Sequence, residues 1–250
     1  MEPLPKLTEG RSVVSSYPDL LSTLTDFLTV CIHTILYHRD IYPPQLYIKA
    51  RKYSFPVYQS RHERVCKWIA DAVGAVAGEI AKGNVSKVSL ILISPRNIPL
   101  ERYVFDLSTF PNIPFEGGYG DLLLQQLEEG GEGVGGVGEG GRKRLDEITI
   151  AGLEAQFRAC LMKLSIAAPD LGRLPEDCTY TVAVEMKESG APINYAEVWV
   201  PAEGQDSDGT GVRRSGGTKS TAIRTVEAGS ICLELSIEET TTKTKMAFGQ

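Results

Sequence analysis

The chain has 250 residues, 42% of them apolar, enough to bury one sizeable core, and its 32 Asp and Glu against 26 Lys and Arg leave a formal net charge of −6. That acidic balance excludes an autonomous nucleic-acid binder, because neutralising phosphates takes a concentrated excess of cations. Five scattered cysteines (Cys31, Cys66, Cys160, Cys178 and Cys232), odd in number and without a Cys-x-x-Cys pair, read as small core hydrophobes in a reducing compartment.

Residues 1–16 carry Pro3, Pro5, Gly10 and few apolar groups, the composition of a loose tail. With no basic segment leading into an apolar run, the expectation is a soluble intracellular protein. From Leu20 to Arg39, Leu21, Leu24, Leu28, Ile32 and Ile35 recur at helical spacing and form a stripe too wide for a surface helix. Asp19 suits its first turn and Tyr42-Pro43-Pro44 forbids its continuation, so this is the central, buried helix. Polar interruptions argue against a membrane span.

The stretch from Ile41 to Ser60 is expected to be extended chain, its tyrosines packing on the helix layer rather than forming a basic, aromatic nucleic-acid strip. A second helix fits His62 to Lys82, with Val65, Ile69, Val73, Val76 and Ile80 on one side and Gly83-Asn84 as a left-handed exit. Trp68 sits at the margin of that stripe, where an indole closes either a core edge or a recognition pocket. An antiparallel hairpin follows, a central strand from Lys87 to Ser94 and a second in which Arg102, Val104 and Asp106 make one wet face.

Residues 112–144 are glycine-rich and carry four glutamates from Glu128 to Glu139 without a following Lys-Ser or Lys-Thr, so disorder is expected and a phosphate loop is not. Arg142-Lys143-Arg144 reads as a solvated charge run. A third helix is expected from about Asp146 to Ala167, ended by Pro169 and Gly172, with Arg158 off its apolar face. Thr179 to Met186 alternates as a strand that should pair with the hairpin. Shorter strands are read at Tyr195 to Pro201, Ile223 to Val226 and Ile231 to Ile237, and a connector over 202–222 is long enough to let the last strands change partners. With three histidines (His33, His38, His62), no HExxH and no Gly-x-Ser-x-Gly, no catalytic residue, metal or cofactor is expected. The surviving enzymatic alternative is a Tyr/Lys/Arg site between Lys49 and Tyr53.

With these elements placed, the chain resembles the HORMA-domain family, within it the accessory-subunit branch of translesion DNA polymerase zeta. The resemblance is carried by ILYHRDIYPP, KARKYSFPV, VSKVSLILIS with ERYVFDL, FRACLMKLS, TYTVAVEM, Trp199 and SICLELSIEE. It implies an α+β fold, three helices on a mainly antiparallel sheet, as one domain over 17–239, with a mobile safety belt over 195–239 and a tail over 240–250. It implies a nuclear, non-catalytic adaptor in DNA damage tolerance. Tyr42, Trp68 and Trp199 would line the pocket for a proline-containing peptide of the polymerase's catalytic subunit. Glu234 and Ser236 would contact the C-terminal domain of the deoxycytidyl-transferase scaffold polymerase, and Arg158 would serve HORMA–HORMA dimerisation. Direct contact with nucleic acid or membrane is not expected. Pro201 stands where relatives place a leucine, and Glu234 and Ser236 replace an amide and an aromatic. The alternative within the family is a spindle-checkpoint or meiotic-axis protein that takes a different peptide.

Overall fold

A computed structural model describes residues 14, 17–110, 149–187, 219–228, 231–240 and 243. The first long element is helix α1 (Tyr17–His38), in which Leu20, Leu21, Phe27, Leu28, Cys31, Ile35 and Leu36 are all buried. It is long and apolar enough to cross a membrane by length and composition, but 67% of the apolar window is buried inside the protein. It packs against α2 (Glu63–Ala81), α3 (Ile150–Asp170) and strand β2 (Phe55–Ser60). Phe27 stacks on Phe157 of α3 at 4.1 Å and 8°. Val14, in the stretch expected to be a loose tail, is buried against this core.

The stretch after α1 is a short 3-10 turn (Pro44–Leu46) followed by a tight hairpin, β1 (Tyr47–Lys52) on β2, rather than plain extended chain. Lys52 pairs with Phe55, so Tyr53 and Ser54 are the two turn residues, at φ 52 and 56. Both central residues in the left-handed region make a I′-type turn, which asparagine and glycine adopt at lower cost. Burial of the Tyr53 ring beside Phe157, centroids 5.3 Å apart, offsets that strain. At the end of α2, Gly83 takes φ 76, the expected left-handed exit.

The second sheet has five antiparallel strands in the order β5-β3-β4-β7-β6: β3 (Val85–Ile93), β4 (Pro99–Asp106), β5 (Thr179–Met186), β6 (Lys219–Ala228) and β7 (Ile231–Glu239). Strand β3 is interior, as its apolar faces require, and β5 pairs with it throughout. The wet face expected of β4 is not wholly wet. Val104 is 4% exposed because β4 lies between β3 and β7, which set Ser89 and Ser236 directly beside it. Strand β6 is longer than the run from Ile223 to Val226, since Lys219 to Ala222 also pair with β7. A cavity of ≈ 10 Å³ between Leu28, Ile32, Val73, Val76 and Val88, Leu90, Phe105, Val182 marks where the helices meet the sheet.

Helix α3 begins later than expected, with the Thr149 hydroxyl accepting from Gly152 N at 3.1 Å, and runs through Pro169 into its last turn. Its terminal carbonyls are held by Arg39, whose guanidinium donates to Ala168 O (2.9 Å), Leu171 O (3.4 Å) and Gly172 O (2.6 Å). The same guanidinium binds both oxygens of Glu101, at 2.9 and 2.6 Å. Glu101 also accepts from Tyr103 Oη (3.0 Å) and from Lys243 Nζ, so three separate stretches of chain meet at one buried carboxylate.

His33 is buried on α1 and accepts from Ser60 N at 3.4 Å through Nδ1; burial holds its pKa down to about 4. Between about pH 6.5 and pH 4 the unfolded chain takes up a proton that the native state refuses. Native stability from this group is therefore complete above pH 6.5 and falls on acidification, by about 2.5 kcal/mol at pH 4.5. Urea midpoints at pH 7 and pH 4.5 should drop more for the wild type than for His33→Gln. An equal drop contradicts the assignment.

Candidate functional site

Beside the outer edge of β5 lies an open groove of ≈ 410 Å³. Its walls come from four elements: Tyr42 and Leu46 after α1, Ser60 and His62 at the end of β2, Arg64, Val65 and Trp68 on the first turns of α2, and Thr179 and Tyr180 opening β5. Helix α1 ends at His38, before the prolines expected to stop it, in a left-handed Asp40 (φ 51) with Ile41 N donating to Leu36 O at 3.1 Å. The 3-10 turn at Pro44–Leu46 follows, so that Tyr42 and Leu46 line the groove with the start of α2. Among the described residues β5 pairs with β3 alone, so its other edge has no strand partner among them, and its first two residues, Thr179 and Tyr180, line the groove.

Three aromatic rings set the groove's shape. Trp68 meets the Tyr180 ring edge-on, centroids 5.0 Å apart at 89°, and Tyr42 meets the same ring at 6.3 Å and 88°. Burial, with the Tyr42 hydroxyl hydrogen-bonded to it, pushes the Tyr180 phenol well above its ordinary range, so it is a neutral donor at all physiological pH. Among the described residues no carboxylate lines the groove; its basic side chains are Arg64 and His62. Aromatic walls with polar groups at the margin suit a rigid apolar side chain such as proline, and an open strand edge supplies main-chain hydrogen bonds. Of the four large apolar side chains exposed among the described residues, Leu46 and Trp68 are in this groove, each 39% exposed.

The other two are on α3. Met162 (47%) and Ile166 (68%) follow Arg158 at four-residue steps, so the three share one outward face of the helix.

Glu234 and Ser236 lie elsewhere again, on the sheet face turned from the helices. There the register sets Ala183, Ser89, Val104 and Ser236 in one row of small groups. On one side runs Glu185, Lys87, Asp106 and Glu234, and on the other Arg102 and Glu238. Arg102 bridges the rows to Glu185 at 2.7 Å. Glu234 is exposed and Ser236 half-buried.

Tyr42 and Trp68 therefore come together, Arg158 and the pair Glu234/Ser236 stand on two separate faces, and Trp199 lies outside the described residues. So do the strand expected at Tyr195 to Pro201 and the glycine-rich insert. Sequence reading missed Tyr180, whose alternation marked only a strand, because its partnership with Trp68 joins elements far apart in the chain. Lys49 and Tyr53 do not converge: Lys49 is exposed on β1 and Tyr53 is buried. Among the described residues no three His, Cys, Asp or Glu side chains are grouped to hold a metal ion, and the five cysteines are free.

The family model of the HORMA domain matches residues 21–230. The chain is 32% identical over 217 residues to the DNA polymerase zeta processivity subunit of Schizosaccharomyces pombe, covering 86% of this chain and 91% of that protein. It is 28% identical over 190 residues to the mitotic spindle assembly checkpoint protein MAD2B of Bos taurus, covering 73% and 76%. Among solved structures, a chain of a mitotic checkpoint complex superposes with TM-score 0.61 at 17% identity, covering 90% of this chain and 97% of that one. Caenorhabditis elegans HTP-2, in a structure with a HIM-3 closure motif, gives 0.59 at 14% identity, covering 91% and 92%. These two share the fold.

Proposed function

Since the chain belongs to the HORMA domain family, we propose that it is a non-catalytic adaptor subunit of translesion DNA polymerase zeta. In this reading it clamps a proline-containing peptide of the catalytic subunit as an added strand on β5. The observation that carries the proposal is the open edge of β5 ending in the groove of Tyr42, Trp68 and Tyr180. Main-chain bonds along the edge give affinity, and the ring-walled groove selects the side chain. The belt over 195–239, with Trp199, closes over the peptide, and the hairpin of β6 and β7 is its anchored end.

The test is a competition. The purified chain is titrated with a polymerase zeta catalytic-subunit peptide against a closure peptide of a checkpoint partner. The expected result is saturable binding of the first, undisplaced by the second. The reverse preference supports the checkpoint reading, which a relative named for the spindle assembly checkpoint keeps in view.

Two further contacts belong to this proposal. The scaffold polymerase's C-terminal domain docks on the outer sheet face at Glu234 and Ser236, where the row of small groups offers a shallow track between charged ones. A second HORMA chain docks on α3, where Met162 and Ile166 leave apolar surface in water beside Arg158. Sedimentation at rising concentration should show a dimer that Arg158→Ala abolishes. A wild type that stays monomeric throughout removes the dimer from the account. Action on damaged DNA assigns the protein to the nucleus, which imaging of the tagged full chain checks.

A further inference from the structure

The end of the chain carries a cation where water cannot reach it. Beyond β7, Thr240 N donates to Leu100 O at 3.1 Å and its hydroxyl to Pro99 O at 3.0 Å, which turns the chain back over the start of β4. Lys243 N then donates to Thr240 O at 3.0 Å, and its side chain, 4% exposed, enters between Glu101 and Glu239. Its ammonium donates to Glu101 Oε1 and, at 2.7 Å, to Glu239 Oε1. The Glu101 side chain is 0% exposed and already holds Arg39.

The two partners of Lys243 belong to neighbouring strands, where they are register partners. Glu101 sits on β4, tied through Arg39 to the end of α3, whereas Glu239 closes β7 itself. Arg39 and Lys243 against Glu101 and Glu239 balance as two positive and two negative charges. If β7 peels from β4, Lys243 and Glu239 leave together, Arg39 stays on Glu101, and the buried Lys243–Glu101 pair is broken. In the closed state, removing the ammonium alone leaves Glu101 and Glu239 with one cation between them, the costly way to break a buried pair.

We propose that Lys243 is a latch: its ammonium, seated on Glu101, fastens the end of the β6–β7 hairpin to the body and sets how often that hairpin detaches. The proposal rests on the reading of this hairpin as the anchored end of a belt. It identifies an element near the chain's end that governs the lifetime of the closed clamp.

Hydrogen exchange on the full-length chain tests it, comparing wild type, Lys243→Met and Lys243→Arg. In the wild type, amides of Ile231–Glu239 should exchange faster than the slowest amides of α1 and β3, because the hairpin opens without global unfolding. Lys243→Met should accelerate β7 by about 30-fold while α1 and β3 keep their rates, and Lys243→Arg should restore most of the protection. If Lys243→Met does not stay soluble, Lys243→Gln supplies the same comparison with a smaller factor. Unchanged β7 exchange overturns the latch and leaves the belt reading standing. Equal acceleration of β7, α1 and β3 also overturns it, since the lysine then stabilises the whole fold alone. A wild-type β7 that exchanges only at the rate of α1 and β3 overturns the belt reading and the latch together.

Discussion

Trp68→Ala is expected to weaken capture of the polymerase zeta peptide by about 30-fold to 1000-fold, the loss of about 2 to 4 kcal/mol that follows truncation of a central aromatic anchor. The indole is already 39% exposed and lies outside the core cluster, so its removal leaves the helix layer packed. What it removes is one wall of the groove and the edge contact that holds Tyr180 in place. Calorimetric titration should show the loss in affinity, with a melting temperature that stays within a few degrees of the wild type. Trp68→Phe, which keeps a ring against Tyr180, should retain more of the binding than alanine does. Affinity unchanged in Trp68→Ala would detach the groove from peptide capture.

Glu101→Ala has the largest expected effect on folding. It strands the Arg39 guanidinium and the Lys243 ammonium in positions where each is 5% exposed or less. Removing one partner of a buried pair costs about 3 to 5 kcal/mol, a large part of a typical domain's stability of about 5 to 15 kcal/mol. The expected outcome is a collapse of the soluble yield or a large downward shift in the urea midpoint. Lys67→Ala is the contrast: its partner Asp71 is one α-helical turn away and both side chains are well exposed, 73% and 64%, so the change should stay under about 0.5 kcal/mol. Similar small effects from both substitutions would refute the buried carboxylate as an organising centre.

Helical spacing in the stretch from Leu20 to Arg39, and the two-residue alternation from Thr179 to Met186, were legible because one face of each element packs on the core, fully buried in α1 and partly buried at Tyr180, Val182, Val184 and Met186 in β5. Trp68 was legible too, as a large ring off the edge of a stripe. The hairpin of β1 and β2 was not, since its turn is Tyr53-Ser54, a pair with no local preference for positive φ; burial of the Tyr53 ring decides it. Glu101 looked like the polar start of an amphipathic strand, and its burial depends on Arg39, 62 residues earlier, and Lys243, 142 residues later. Lys243 itself sits in TTTKTK, a run with no local signal of burial. Tyr180 read as an ordinary strand residue for the same reason. Periodicity records which face an element buries, and not which distant charge or ring will meet it.

The measurement that bears most directly on strand addition is hydrogen exchange across Thr179–Met186, on the chain alone and saturated with the polymerase zeta catalytic-subunit peptide. An added strand should slow the β5 amides that face away from β3, by about tenfold or more, while those of β3 change little. A bound peptide that leaves β5 unchanged, or that protects the edge of β6 instead, would contradict the account.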